Sequence, residues 1–227
     1  MLRLACALVV GSLLVGPALG QTPPTASEIA AYTGLHAAAS RGNVAALRSA
    51  LATGANPNER DGHNRTPLHV AAHLGHGEVA RALAQAGADP RALDARKYDI
   101  VTIAAVRDDV AFVKLALELG ADPKAITSPY EGTALIAAAH LGHDGVVRAL
   151  IQAGAPLDHV NNLGWTALIE AIVLGDGGSR HTACVEALLA AGANPNLGDR
   201  EGRSPLALAR GRGHKEMERL IATAGGR

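Results

Sequence analysis

Thr66-Pro67-Leu68-His69-Val70-Ala71-Ala72-His73-Leu74-Gly75-His76 is the stretch that decides the fold, because the chain repeats it. The same place is held by Thr33-Gly34-Leu35-His36, Asp99-Ile100-Val101-Thr102, Thr133-Ala134-Leu135-Ile136, Thr166-Ala167-Leu168-Ile169 and Ser204-Pro205-Leu206-Ala207. A second pattern follows each copy in phase: Gly54-Ala55-Asn56-Pro57, Gly87-Ala88-Asp89-Pro90, Gly120-Ala121-Asp122-Pro123, Gly154-Ala155-Pro156, Gly192-Ala193-Asn194-Pro195 and Ala224-Gly225. The period is about 33 residues, within the range of solenoid repeats.

Each unit has a physical logic. A Thr or Ser hydroxyl caps a short helix, and Pro67 or Pro205 sits at its first position, where no N–H is needed. Leu68, Val70, Ala71 and Ala72 form a packed stripe, and Gly75-His76 turns the chain into a second helix of about 78–86, with Val79 and Leu83 inward. Gly87 then takes positive φ and leads into a hairpin-like finger. The units are expected at about 32–64, 65–97, 98–131, 132–164, 165–202 and 203–227. Unit 3 departs most, with Asp99 as its helix cap and Asp108-Asp109 in place of Gly-His. Unit 5 carries the extra segment Asp176-Gly177-Gly178-Ser179-Arg180 between its helices. Unit 6 ends the stack, and Lys215, Glu216, Glu218 and Arg219 supply the polar outer face a terminal repeat requires.

Two motifs recurring in phase through six units resemble the ankyrin-repeat family over roughly residues 27–227. The resemblance implies an all-α solenoid of helix-turn-helix units with finger loops, in which the fourth motif residue, His36 or His69 here, makes a structural hydrogen bond. His76, His143 and His214 fall at another consensus place of the family, the turn between helices. The resemblance also implies recognition by the concave face, through the finger tips and the exposed end of the first helix.

The first twenty residues are a separate object. Met1-Leu2-Arg3, the apolar run Leu4 to Val15 and the small-residue site Ala18-Leu19-Gly20 have the form of a secretory leader cleaved after Gly20. Residues 21–26, with Pro23-Pro24, follow as a linker, and Ser27 is the expected cap of a partial turn over 27–31. Export to the periplasm or beyond is therefore expected, without membrane insertion after cleavage. Losing Arg3 leaves 20 basic side chains against 21 acidic. Cys184 then has no partner for an intramolecular disulfide, and its place in the second helix is a core place.

Composition narrows the function. Apolar residues make up 48% of the chain and aromatics 2%, so alanine and leucine must build the core. The balanced charge offers no basic field for a phosphate backbone, so nucleic acid is not expected as a partner. The pairs His73/His76 and His140/His143 have the spacing of two ligands on one helix face, but no third ligand is near in sequence, and no metal or other cofactor is expected. No nucleophile elbow, Cys/His pair or phosphate-binding glycine loop is present, so catalytic residues are not expected either.

The candidate site is a protein-binding surface. By register, Arg65, Tyr98, Trp165 and Arg203 precede the unit starts and Tyr130 stands at a finger tip. His73, Arg107 and His140 lie at the end of the first helix, beside Val106, Leu141, Val173 and Leu174, which are expected to be exposed. Tyr98, Tyr130 and Trp165 fall on successive fingers of a chain with few aromatics, and aromatic and Arg residues are common interface anchors. The expected function is a non-enzymatic interaction scaffold with a protein partner, itself a monomer. The chain is similar to exported ankyrin-repeat proteins of Gram-negative bacteria, some associated with oxidative-stress resistance. An immunity protein that neutralises a toxin, or an effector engaging a foreign protein, is the alternative. Stoichiometric zinc in the purified protein would revive an enzyme or metal protein.

Overall fold

The structure, a computed structural model, describes residues 21–227. The leader and its cleavage site lie outside the described residues. A six-residue helix, α1 (Ala26–Ala31), opens the described chain. Six helix pairs follow: α2 (Gly34–Ser40) with α3 (Val44–Ala52), α4 (Pro67–Leu74) with α5 (Gly77–Gln85), α6 (Ile100–Val106) with α7 (Val110–Glu118), α8 (Ala134–His140) with α9 (Asp144–Gln152), α10 (Ala167–Val173) with α11 (Ser179–Ala190), and α12 (Pro205–Arg212) with α13 (Lys215–Thr223).

The capping chemistry sets the helix starts. The Thr66 hydroxyl accepts the His69 amide, and Asp99, Thr133, Thr166 and Ser204 do the same for α6, α8, α10 and α12. Gly75 ends α4 at φ 76°. In unit 3 the corresponding left-handed place is held by Asp108 at φ 59°, which a short polar side chain tolerates. The unit is therefore regular despite its divergent sequence.

The first helices stack in one row, α2 on α4 and so on to α12, and the second helices form the other row. Leu35, Leu68, Leu135 and Leu168 stand in one buried column; Leu83, Ala116, Leu150 and Leu188 form its counterpart. Each buried leucine contributes roughly 1.5–3 kcal/mol, and no unit could bury its own column without its neighbours. Between α5 and α7 the second row leaves a shallow cleft of about 200 Å³, lined by Glu78, Arg81, Asp109 and Leu115 among others. No helix among the described residues is long and apolar enough to cross a membrane.

Three local readings need correction or completion. Thr25, not Ser27, caps α1: its hydroxyl accepts the Glu28 amide at 3.2 Å while Glu28 accepts the Thr25 amide at 2.7 Å. The Thr-x-x-Glu spacing decides this, since it satisfies two free amides reciprocally. The extra segment of unit 5 does not remain a loop throughout, because Ser179 and Arg180 join α11 and lengthen it to 12 residues. Cys184 is fully buried in α11, and burial pushes its thiol pKa up to about 12, so it packs as a small apolar group.

Candidate protein-binding groove

The fingers are built by one repeated device. Asp61 accepts the amides of His63 and Arg65, Asp94 those of Arg96 and Tyr98, Asn161 those of Leu163 and Trp165, and Asp199 those of Glu201 and Arg203. Each side chain thereby closes a tight loop on its own backbone, as Asx turns do. In the longer finger of unit 3, Ser128 takes this part toward Tyr130 and Gly132, and Thr127 pairs its backbone with Gly132. Neighbouring fingers are joined by main-chain bonds from Ala95 to His63, Ser128 to Lys97 and Asn162 to Tyr130. The row is thus a continuous, hydrogen-bonded wall.

Between this wall and the ends of the first helices lies a groove of about 720 Å³. Tyr130, Leu163 and Trp165 come from the fingers; Ile136, Leu141 and Leu174 come from α8, the end of α8 and the end of α10. Tyr130 is 44% exposed and Trp165 half-buried. The polar part of the lining is a small network. Glu170, only 3% exposed, accepts from Asn161 at 2.8 Å and contacts His140 Nδ1 at 3.1 Å. Both carboxylate oxygens therefore have partners, as a buried acid requires.

Six of the eight residues expected at the site line this groove: His73, Tyr98, Arg107, Tyr130, His140 and Trp165. Their exposure differs from expectation. Tyr98 is only 5% exposed, so it is part of the packed wall and not a free anchor. His73 is 4% exposed; burial lowers its pKa to about 3, and its Nε2 has no hydrogen-bond partner. Arg107 is exposed and donates to the His73 carbonyl. Val106, Leu141, Val173 and Leu174 are half-buried, and Val173 is not in the lining, because the row of first helices covers part of each.

Arg65 and Arg203 lie elsewhere. Arg65 is 1% exposed, and its guanidinium donates to Asp61 at 2.7 Å, to the Thr22 carbonyl at 2.9 Å, to the Tyr32 hydroxyl at 2.9 Å and to Glu28. It is a buried tie for the N-terminal segment, since such a charge stays inside only when fully paired. Arg203 is exposed on the last finger, where it pairs with Asp199 and Glu201.

The histidines of the motif do what the resemblance implies. His36 Nε2 donates to the Arg65 carbonyl at 3.0 Å and His69 Nε2 to that of Tyr98 at 3.2 Å, each tying a helix to the start of the next unit. His76 and His143, in the turns, reach the carbonyls of Ser40 and Ala105 in the preceding unit.

Sequence reading missed Glu170, Asn161, Gln21 and Pro23, all in the lining. Glu170 had a signal. It stands where Ala37, Val70, Ile103, Ala137 and Leu208 stand in other units, a carboxylate in an apolar column. Gln21 and Pro23 gave none, because a linker's docking site lies far from it in sequence.

A model of ankyrin repeats in three copies matches residues 6–94 and again residues 101–199. The chain belongs to the ankyrin repeat family. Over 97 residues it is 42% identical to the ankyrin repeat protein YahD of Escherichia coli (strain K12), which covers 42% of this chain and 48% of YahD. The chain thus spans about half the length of that relative. An ankyrin repeat domain (ABAYE2397) from Acinetobacter baumannii AYE superposes with a TM-score of 0.81 at 42% identity, covering 85% of this chain and 98% of that domain. The ankyrin repeat domain of Bcl-3, of the IkappaB protein family, gives 0.79 at 28% identity over 86% and 87% of the two chains.

Proposed function

We propose that this ankyrin repeat protein is a non-enzymatic scaffold that binds a protein partner through the groove between its third, fourth and fifth units. The observation that carries the reading is the coincidence of Tyr130, Trp165, Leu141 and Leu163 in one concave, mostly apolar groove. The chain has three tyrosines, one tryptophan and one phenylalanine, and three of these five rings line that groove. A groove of this kind, with aromatic anchors and a few satisfied polar groups, is where a partner segment gains most.

The form of the first twenty residues supports export, and we place the working protein in the periplasm, where it would support oxidative-stress resistance through its partner. Cys184 is buried and its thiol is held protonated, so a redox role would belong to the partner. The test is photo-crosslinking in the producing cell, with a photoreactive phenylalanine at position 130 and, as control, at Lys114 on the opposite row. One protein crosslinked from position 130 alone, in the periplasmic fraction, is the expected outcome. Equal crosslinking from both positions overturns the groove, and a protein confined to the cytoplasm overturns the location.

A further inference from the structure

The groove already holds a peptide at one end, and the peptide is its own. Residues 21–24 belong to no helix or strand and lie against the groove. The Gln21 side-chain amide donates to the Thr102 carbonyl at 2.7 Å in unit 3, and Arg65 donates to the Thr22 carbonyl at 2.9 Å. Gln21 and Pro23 form part of the groove lining, and Pro24 is buried. The segment is thus read by main-chain and amide hydrogen bonds plus proline packing. The same lining includes Tyr130, Ile136, Leu141, Trp165 and Leu174, from units 3 to 5.

Two further observations describe what fits there. Proline-bearing chain is extended without internal hydrogen bonds, so it keeps its carbonyls for a receptor and packs on aromatic rings at low entropic cost. Tyr130 and Trp165 supply those rings. His73, in the same lining, is almost fully buried, so it adds packing surface to the groove floor and not an accessible polar group. The acid in the lining, Glu170, already has both oxygens matched, so it does not ask for a cationic ligand.

We infer that the groove takes an extended, proline-bearing segment of the partner protein, and that Gln21–Pro24 is a built-in competitor that must leave before the whole groove can be filled. This deepens the binding function proposed above and rests on it. A competitor that occupies the site most of the time lowers apparent affinity by the fraction of open molecules. Weakening it must therefore tighten binding, the reverse of losing a contact.

The experiment uses Trp165, the single tryptophan of the chain, as an internal reporter in the purified protein. The probe is a synthetic dodecapeptide of three Gln-Thr-Pro-Pro units, with a control in which glycine replaces proline. The strap variant is Gln21→Gly with Pro23→Gly, its folding checked by circular dichroism; neither position is in the buried core. Expected is a saturable shift of Trp165 emission with the probe and not with the control, and binding about fivefold or more tighter in the strap variant. Leu141→Glu, on the lining at the end of α8, abolishes the shift in both backgrounds.

Equal or weaker binding by the strap variant overturns the competitor role. An equal response to the glycine control overturns the proline preference. A strap variant that dimerises in sedimentation, with no effect of the probe, makes a second copy the occupant and overturns the inference. If the strap variant loses its helical signal, competition is read on the wild type with free Gln-Thr-Pro-Pro-Thr-Ala, which must displace the longer probe; failure to do so overturns it equally. Crosslinking from position 130 that is indifferent to the strap substitutions would leave the proposed function standing while this inference falls.

Discussion

Arg65 and His73 show how one unit start and one helix end came to serve the interior. Arg65 holds Glu28 and Asp61. Burial raises both carboxyls, but hydrogen bonds outweigh it and bring each pKa down to about 2: from Thr25 and Arg65 for Glu28, from Tyr32 and Arg65 for Asp61. Their stabilisation is complete above the ordinary carboxylate range and is lost as pH falls through about 2. His73 acts in a higher window. Its pKa is lowered from 6.5 to about 3, chiefly by burial, so its stabilisation is complete above 6.5 and is lost as pH falls toward 3; His69 is shifted in the same direction. The thermal midpoint should therefore decline in two stages. His73→Val, matching Val106 and Val173 in the same register, should flatten the stage between pH 6.5 and 4 and leave the lower one. An unchanged upper stage in a melting series would show that His73 is not what titrates. Tyr98→Ala should cost about 3–5 kcal/mol, the range for emptying a packed aromatic site, whereas Tyr130→Ala should stay within about 0.5 kcal/mol. Denaturant melts of the two variants separate wall from anchor.

Among the elements, the two departures from the repeat meet each other. Asp108 of unit 3 accepts Arg180 of the unit 5 insertion at 2.5 Å, across an entire intervening unit. Arg180 also lies 3.9 Å from Asp144, so the lengthened α11 reaches back over α9. The insertion further places His181, which reaches the His140 carbonyl at 3.0 Å and so occupies the part that His76 and His143 play in their units. The two departures thus share one cross-repeat ion pair. Because the pair is exposed, its coupling should be detectable in a double-mutant cycle of Asp108→Ala and Arg180→Ala at low salt and vanish at 1 M, where screening acts within about 3 Å. Coupling that persists at high salt would mean the two residues communicate by packing.

Over the whole molecule, stability is a sum of like interfaces, α2 on α4 through α10 on α12 in one row, with a second row behind. An in-frame deletion of residues 132–164 removes one unit and leaves α6 to stack on α10 through equivalent faces. The shortened chain should keep its helical signal per residue but lose the Trp165 response to any groove ligand, since Ile136, Leu141 and Leu163 leave the lining with the deleted unit. A collapsed helical signal would show that the units are not interchangeable. The solenoid also explains why the concave side carries the groove: fingers joined by main-chain bonds form a wall that each unit extends by one step.

Sequence by itself determined the solenoid. A Thr, Ser or Asp before each first helix, Gly after each second helix and recurring leucine and alanine layers are local rules, and six copies in phase leave one way to bury them. It also put Tyr130, Trp165, His140 and Arg107 along one groove, because register fixes direction. Depth and long-range company came from packing between distant segments. Tyr98 and Trp165 hold equivalent places in the register, yet one is packed and the other half-open. Arg65 looked like a surface residue until Thr22, Glu28, Asp61 and Tyr32 closed around it. Gln21 meets Thr102 across 81 residues. Periodicity reports which way a side chain points, but burial depends on what arrives from elsewhere in the chain to cover it, and no local pattern carries that.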